Sequence, residues 1–309
     1  MAAEPNRHRR AVALMFCAGL LWSIAGVFTR HLEQAPRWET TFWRSFFCAV
    51  AMLVILAVLH RRRAVEEVMR LGRAGLASGA LWAVMFTGFM LALTQTSTAN
   101  TLILTSISPL TASLFAWLQL GERVPGRTWL LIGVAFAGIL VMFGGEAGGG
   151  RMAGNLIALS VPLAAGLNFV LMRKSGARVN LIPAVLVGGL LSALATLPLA
   201  WPFLASPGDL AILALLGALQ LALPCALAVV AARSLSPTEV ALIGPTECVF
   251  GPLWAWLGAG EVPTAHALFG GALVLAALAA QALVSGGRLR AAQAPAASAL
   301  RIAPKPLRD

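Results

Sequence analysis

The sequence predicts an all-α membrane protein of ten transmembrane helices, arranged as two inverted five-helix repeats. Three observations predict it. Hydrophobic residues make up 59% of the 309-residue chain and charged residues only 11%, against ~25% charged in soluble domains. Ten apolar runs approach the ~20 residues that a helix needs to cross a bilayer. A motif-bearing stretch of the fourth run returns in register in the ninth.

The ten runs are 11–29, 40–59, 74–95, 98–119, 128–145, 155–172, 181–203, 210–231, 237–257 and 265–284. Each is continuously apolar and about twice as long as the ~10-residue alternating strands of an outer-membrane barrel, so helices are expected. The gaps leave no room for a soluble domain. Residues 1–10 read as a cytoplasmic N-terminal segment, and 286–309, rich in Ala and Pro with scattered Arg, as a flexible cytoplasmic tail. Arg7, Arg9 and Arg10 before an apolar run resemble a signal peptide. No A-x-A cleavage site follows, so the run reads as a retained first span.

The net charge is +11, yet the basic residues sit in short clusters between apolar runs rather than on one folded face. Nucleic acid is therefore not an expected partner. With the N-terminus inside, the inner segments hold 19 Lys and Arg and the outer segments hold three: Arg30, Arg37 and Arg151. That asymmetry places both termini in the cytoplasm. Cys17, Cys48, Cys225 and Cys248 all lie in apolar runs. With no CxxC they read as small buried hydrophobes, and neither a disulfide framework, a metal site nor a cofactor is implied.

A shift of 139 residues lays span four on span nine. Ser97 meets Ser236, Ala116-Trp117-Leu118 meets Ala255-Trp256-Leu257, and Gly121-Glu122 meets Gly260-Glu261. The chain thus divides into units of five spans, 11–145 and 155–285. An odd number of spans per unit makes the second run opposite to the first, which is the architecture of secondary transporters.

Several motifs resemble those of the EamA-type drug/metabolite transporters. They are Leu21-Trp22-Ser23, Phe42-Trp43-Arg44-Ser45-Phe46, Ser108-Pro109-Leu110 leading to Leu120-Gly121-Glu122, and Glu247 followed fourteen residues later by Glu261. The resemblance covers residues 11–285. It implies two EamA repeats and movement of small organic metabolites, often outward, across the bacterial inner membrane. It also implies a cavity lined by spans one, three, four, six, eight and nine. The chain departs from the family pattern at Ser23, where Gly is common, and at Cys248, where Pro is common.

Polar residues inside a bilayer are costly unless they meet a cavity or a partner, which makes each one a candidate. Ser97, Thr101, Thr105 and Ser108 form one helical stripe, which faces either a cavity or a neighbouring helix. The repeat sets Glu247 at the position matching Ser108. Its carboxylate either couples protons, binds an amine, or bonds backbone freed by Pro245 and Pro252. Glu239 reads as a helix-start acid after Ser236 and Pro237. Arg44 is the only basic residue within a span; it is either an anion contact or a structural pair. Trp22, Trp82 and Phe86 are either substrate walls or packing. Asn168 and Gln220 should face the bundle interior, and Pro224 beside Gln220 breaks span eight. Span ten carries an Ala-rich face (Ala272, Ala276, Ala279, Ala280) that suits helix packing within the chain or in a homodimer.

The function expected is a secondary transporter, exporting, with a small-molecule solute, the lipid bilayer and protons as partners. A channel-like pore and a non-transporting receptor or enzyme are the rivals. Neither an HExxH, a serine–histidine arrangement nor a P-loop is present to support catalysis or ATP use.

Overall fold

The computed structural model describes residues 3–60, 64–144, 151–175, 181–232, 234–235, 239–240, 243–244 and 246–301. All regular structure among them is helical. In hydrocarbon each crossing must satisfy its backbone hydrogen bonds internally, and helices do so. Nine helical stretches among the described residues are long and apolar enough to cross a membrane: Arg7–Thr29, Arg37–Leu59, Gly72–Leu93, Thr98–Leu120, Gly126–Gly144, Met152–Lys174, Pro183–Ala200, Pro207–Ala231 and Ala265–Leu283. The remaining expected run, 237–257, falls partly outside the described residues, as do Ser236, Pro237 and Pro245. Its described part includes the 14-residue helix Thr246–Ala259.

In chain order the helices are α1 (Ala3–Ser23), α2 (Ala25–Thr29), α3 (Arg37–His60), α4 (Ala64–Met69), α5 (Gly72–Leu93), α6 (Thr98–Ser106) and α7 (Ser108–Leu120). Then come α8 (Gly126–Gly144), α9 (Met152–Ser175), α10 (Leu181–Ala200), α11 (Pro207–Leu215), α12 (Leu223–Ala232), α13 (Thr246–Ala259) and α14 (Ala265–Arg301). A π-helical turn, Leu216–Ala222, joins α11 to α12. Helix α1 begins before residue 11 and α14 continues past 285, so helix extends beyond the limits drawn from the apolar pattern. Pro5 sits in the first turn of α1, where its missing N–H breaks no bond. The tail to residue 301 is rich in alanine, the strongest helix former.

Prolines set the internal breaks. Span four parts at Ile107 because Pro109 has no N–H for the carbonyl of Thr105; the Ser108 hydroxyl donates to that carbonyl instead, at 2.6 Å. Span eight widens into its π turn just before Pro224, which offers no N–H to the Gln220 carbonyl.

The bundle is apolar outside and polar within. Leu53, Val58, Leu130, Leu194 and Phe269 are exposed, while Ser23, Arg44, Thr101, Asn155 and Gln220 are buried. A soluble protein shows the reverse; a lipid-solvated one requires this. The packing pairs also exchange. Helix α5 packs on α9 as α12 packs on α1, and α7 packs on α9 as α13 packs on α1. Helix α5 packs on α10 as the π turn packs on α3, while α3–α10 and α8–α14 map onto themselves.

Candidate functional site

The interior polar site is built around Arg44 of α3, which is 2% exposed. Its Nε and Nη2 donate to Oε1 of Gln220 at 3.2 and 2.9 Å. The Gln220 amide in turn donates to the backbone carbonyl of Trp22 at 3.2 Å. Spans one, two and eight are thereby tied through one amide. The guanidinium carbon lies 5.3 Å from the centroid of the Phe89 ring, a cation–π contact.

Local sequence explains the placement of Gln220. The π turn can approach α3 this closely because residue 217 is glycine. A Cβ there would come within 2.6 Å of both the Arg44 carbonyl oxygen and the Phe47 Cβ. The surrounding wall is apolar: Cys48, Phe86, Leu221 and Cys225 form a buried cluster, with Trp22 and Trp82 packed against it.

A second polar seam joins spans one, four and nine. The Ser23 hydroxyl donates to the Leu20 carbonyl at 2.6 Å and accepts from Trp254 Nε1 at 3.0 Å. Cys248 Sγ donates to the carbonyl of Leu102 at 3.3 Å. Glu247, half-buried in the first turn of α13, forms no hydrogen bond or ion pair among the described residues.

The hydroxyls of Thr101 and Thr105 donate to carbonyls of their own helix, Ser97 and Leu102, both at 3.0 Å. Asn168 is buried, and its Oδ1 has no partner among the described residues; the same is true of Trp82 Nε1. Of the residues singled out from sequence, then, Arg44 and Gln220 bond directly, and Gln220 also bonds the Trp22 backbone carbonyl. Ser23 reaches span nine through Trp254, and Asn168 has no hydrogen bond to either seam among the described residues. Glu239 pairs with His8 at 3.2 Å.

The ends of span four carry two further clusters. At its start Glu261 accepts from Arg30 Nε at 2.8 Å, from the Thr98 backbone N–H at 2.6 Å and from the Thr98 hydroxyl at 2.8 Å. Arg30 also donates to the carbonyls of Leu93 and Thr96 at 2.9 and 2.7 Å. The cluster borders a cavity of about 240 Å³ lined by Arg30, Thr94, Gln95, Thr96, Ser97, Arg151 and Glu261. Burial pushes the Glu261 carboxyl up, but the hydrogen bond and charge of Arg30 and the two Thr98 bonds together outweigh it and hold it below the usual range. At the other end Glu122 pairs with Arg173 at 2.7 Å, and Lys174 donates to Gln119 at 3.1 Å.

Each acid follows a glycine in the left-handed region, Gly121 at φ 66° and Gly260 at φ 67°. Each also donates its backbone N–H to the helix before it, Glu122 to Ala116 and Glu261 to Ala255. Glycine adopts that conformation without strain and closes the helix.

Sequence reasoning did not single out Arg30, Glu39, Asn155 or Asp209. Glu39, fully buried, accepts from the backbone N–H groups of Leu204 and Ala205. Asp209 accepts from those of Glu33, Gln34 and Ala35. Asn155 Oδ1 accepts from the Thr96 hydroxyl at 2.6 Å. The usable signal for Arg30 was its place among the three Lys and Arg that the charge count assigns to the outer segments.

A bundle of apolar spans with polar seams at its core defines a multi-pass membrane protein. The chain belongs to the EamA-like transporter family, whose profile matches residues 9–144 and 152–281. It is similar to the pseudopaline exporter CntI of Pseudomonas aeruginosa strain UCBPP-PA14, 27% identical over 278 residues that cover 87% of this chain and 94% of the relative. The same exporter from a second strain of that species is similar at the same identity and coverage. A solved crystal structure with 19% identity covers 87% of this chain and 96% of its own at a TM-score of 0.60, a likeness of fold alone.

Proposed function

We propose that the chain is a secondary active transporter that exports a small organic metabolite or amphipathic solute across the bacterial inner membrane. In this reading ten spans form two inverted five-helix EamA repeats that alternate access to a shared cavity, with both termini cytoplasmic. The cavity is lined by Trp22, Ser23, Trp82, Thr101, Thr105, Ser108, Asn168, Gln220 and Glu247. The carrying observation is the placement of the matched Gly-Glu motifs. Glu261 bonds Thr98 at the start of span four, and Glu122 follows its last helical residue, Leu120. The intervening 23 residues measure about 34 Å at 1.5 Å per residue, about the thickness of a bilayer, which supports a reading with the two motifs near opposite faces. The exchange of packing pairs supports the same reading, and the name of the similar exporter supports an outward direction.

The test places single cysteines at Val124 and Val262 in a cysteine-free background. The two should react with a membrane-impermeant thiol reagent from opposite sides. Reaction from the same side would remove the inverted arrangement. Counterflow in reconstituted vesicles separates a carrier from a pore. Glu247→Gln should alter flux or its pH profile; unchanged flux across pH would leave Glu247 a structural role.

A further inference from the structure

Span two buries a full positive charge that forms no ion pair with a carboxylate among the described residues. Arg44 enters no ion pair among the described residues. Its one side-chain acceptor, the Gln220 amide oxygen, is neutral and takes only the Nε–Nη2 edge. The remaining nitrogen, Nη1, is buried and has no partner there. A second orphan donor, Trp82 Nε1, belongs to an indole packed on the same cluster that holds Cys48 and Cys225. Both thiols lie within electrostatic reach of Arg44.

The arrangement differs from a structural arginine. Buried guanidinium groups that serve packing are paired with carboxylates, because an isolated ion in low dielectric is strongly disfavoured. Here the fork is aimed by a neutral amide, backed by the Phe89 face and brought close by Gly217 and the π turn. One edge is held and the other is left with a charge to share. Excess N–H donors and a net positive charge, with no acceptor provided, are what a planar oxyanion needs.

We propose that Arg44 is an anion clamp in the transport path, and that the cargo carries a carboxylate which engages its Nη1 edge. This rests on the transporter reading above and narrows the cargo class. Gln220 is then a positioning residue: it fixes the rotation of the guanidinium without neutralising it.

The test is a melting-temperature titration of the purified full chain in detergent with matched acid–amide pairs: benzoate and benzamide, glutarate and glutaramide, N-acetyl-leucine and its amide. At least one acid should raise the melting temperature where its amide does not. That acid-specific rise should vanish in Arg44→Met. In Arg44→Lys, which keeps charge without the fork, the acid should bind about tenfold more weakly. If Arg44→Met does not fold, Arg44→Gln serves with the same reading. A wild type that treats every acid like its amide, or an acid-specific rise that survives in Arg44→Met or Arg44→Gln, overturns the clamp. Binding is read without transport. Acid-specific binding with no counterflow in vesicles would therefore sink the transporter reading and spare the clamp. Counterflow that does not discriminate acid from amide would do the opposite.

Discussion

The two Gly-Glu motifs are alike in sequence and backbone yet unequal in setting. Around Glu261 the ion pair is mostly enclosed, its side chains 27% and 18% exposed, and four more hydrogen bonds join spans three and four to it. Around Glu122 the pair is open to solvent, at 47% and 42%. A repeated motif in a two-state carrier should be tight at the closed end and loose at the other. In the proposed carrier and orientation, the enclosed pair would seal the extracellular end. Exposed pairs contribute about 0–1 kcal/mol, whereas breaking an enclosed, multiply bonded pair costs several times that.

The comparison breaks first at Glu261. Glu261→Gln should weaken the seal by about 2–4 kcal/mol. A cysteine at Gln95, beside the cavity, should then react with an impermeant thiol reagent at least about tenfold faster. An unchanged rate would show that the pair seals nothing. Arg30→Lys should cost about 1–2 kcal/mol, because lysine cannot hold the carboxylate and the Leu93 and Thr96 carbonyls together. The same labelling rate would report it, ranked below Glu261→Gln. Thr98→Val removes one buried hydroxyl donor, for about 1 kcal/mol, and should fall below both. Glu122→Gln should change the melting temperature least, with under ~1 kcal/mol lost, and that small effect should fade in high salt.

Acidity sharpens the contrast. The Glu261 carboxyl titrates below its ordinary value in the folded protein, so its stabilising contribution is complete above the unfolded value of about 4.3. That contribution declines as pH falls below it, through the depressed folded value. The Gln95 labelling rate should be flat from pH 5 to 8 after correction for thiol ionisation, and a step within that window would contradict the assignment.

The spans were legible because twenty apolar residues are costly anywhere but in lipid. The Arg44–Gln220 contact was not, since its partners lie 176 positions apart and a π turn sets their approach. Periodicity correctly places Thr101 and Thr105 on one stripe. It does not tell a hydroxyl facing a cavity from one bonded to the preceding turn, because both lie on the same face. Asp209 was not singled out because its ligands are backbone N–H groups, which carry no side-chain signature.

That last carboxylate has a mechanical consequence. Asp209 grips the connection between the first two spans from the start of α11, and Glu39 of α3 grips the segment leading into α11. Each bolt crosses from one sequence half to the other. In the proposed alternating-access cycle, any relative motion of the two repeats must accommodate these bolts. A chain nicked between them should hold together like clasped hands rather than fall into two pieces.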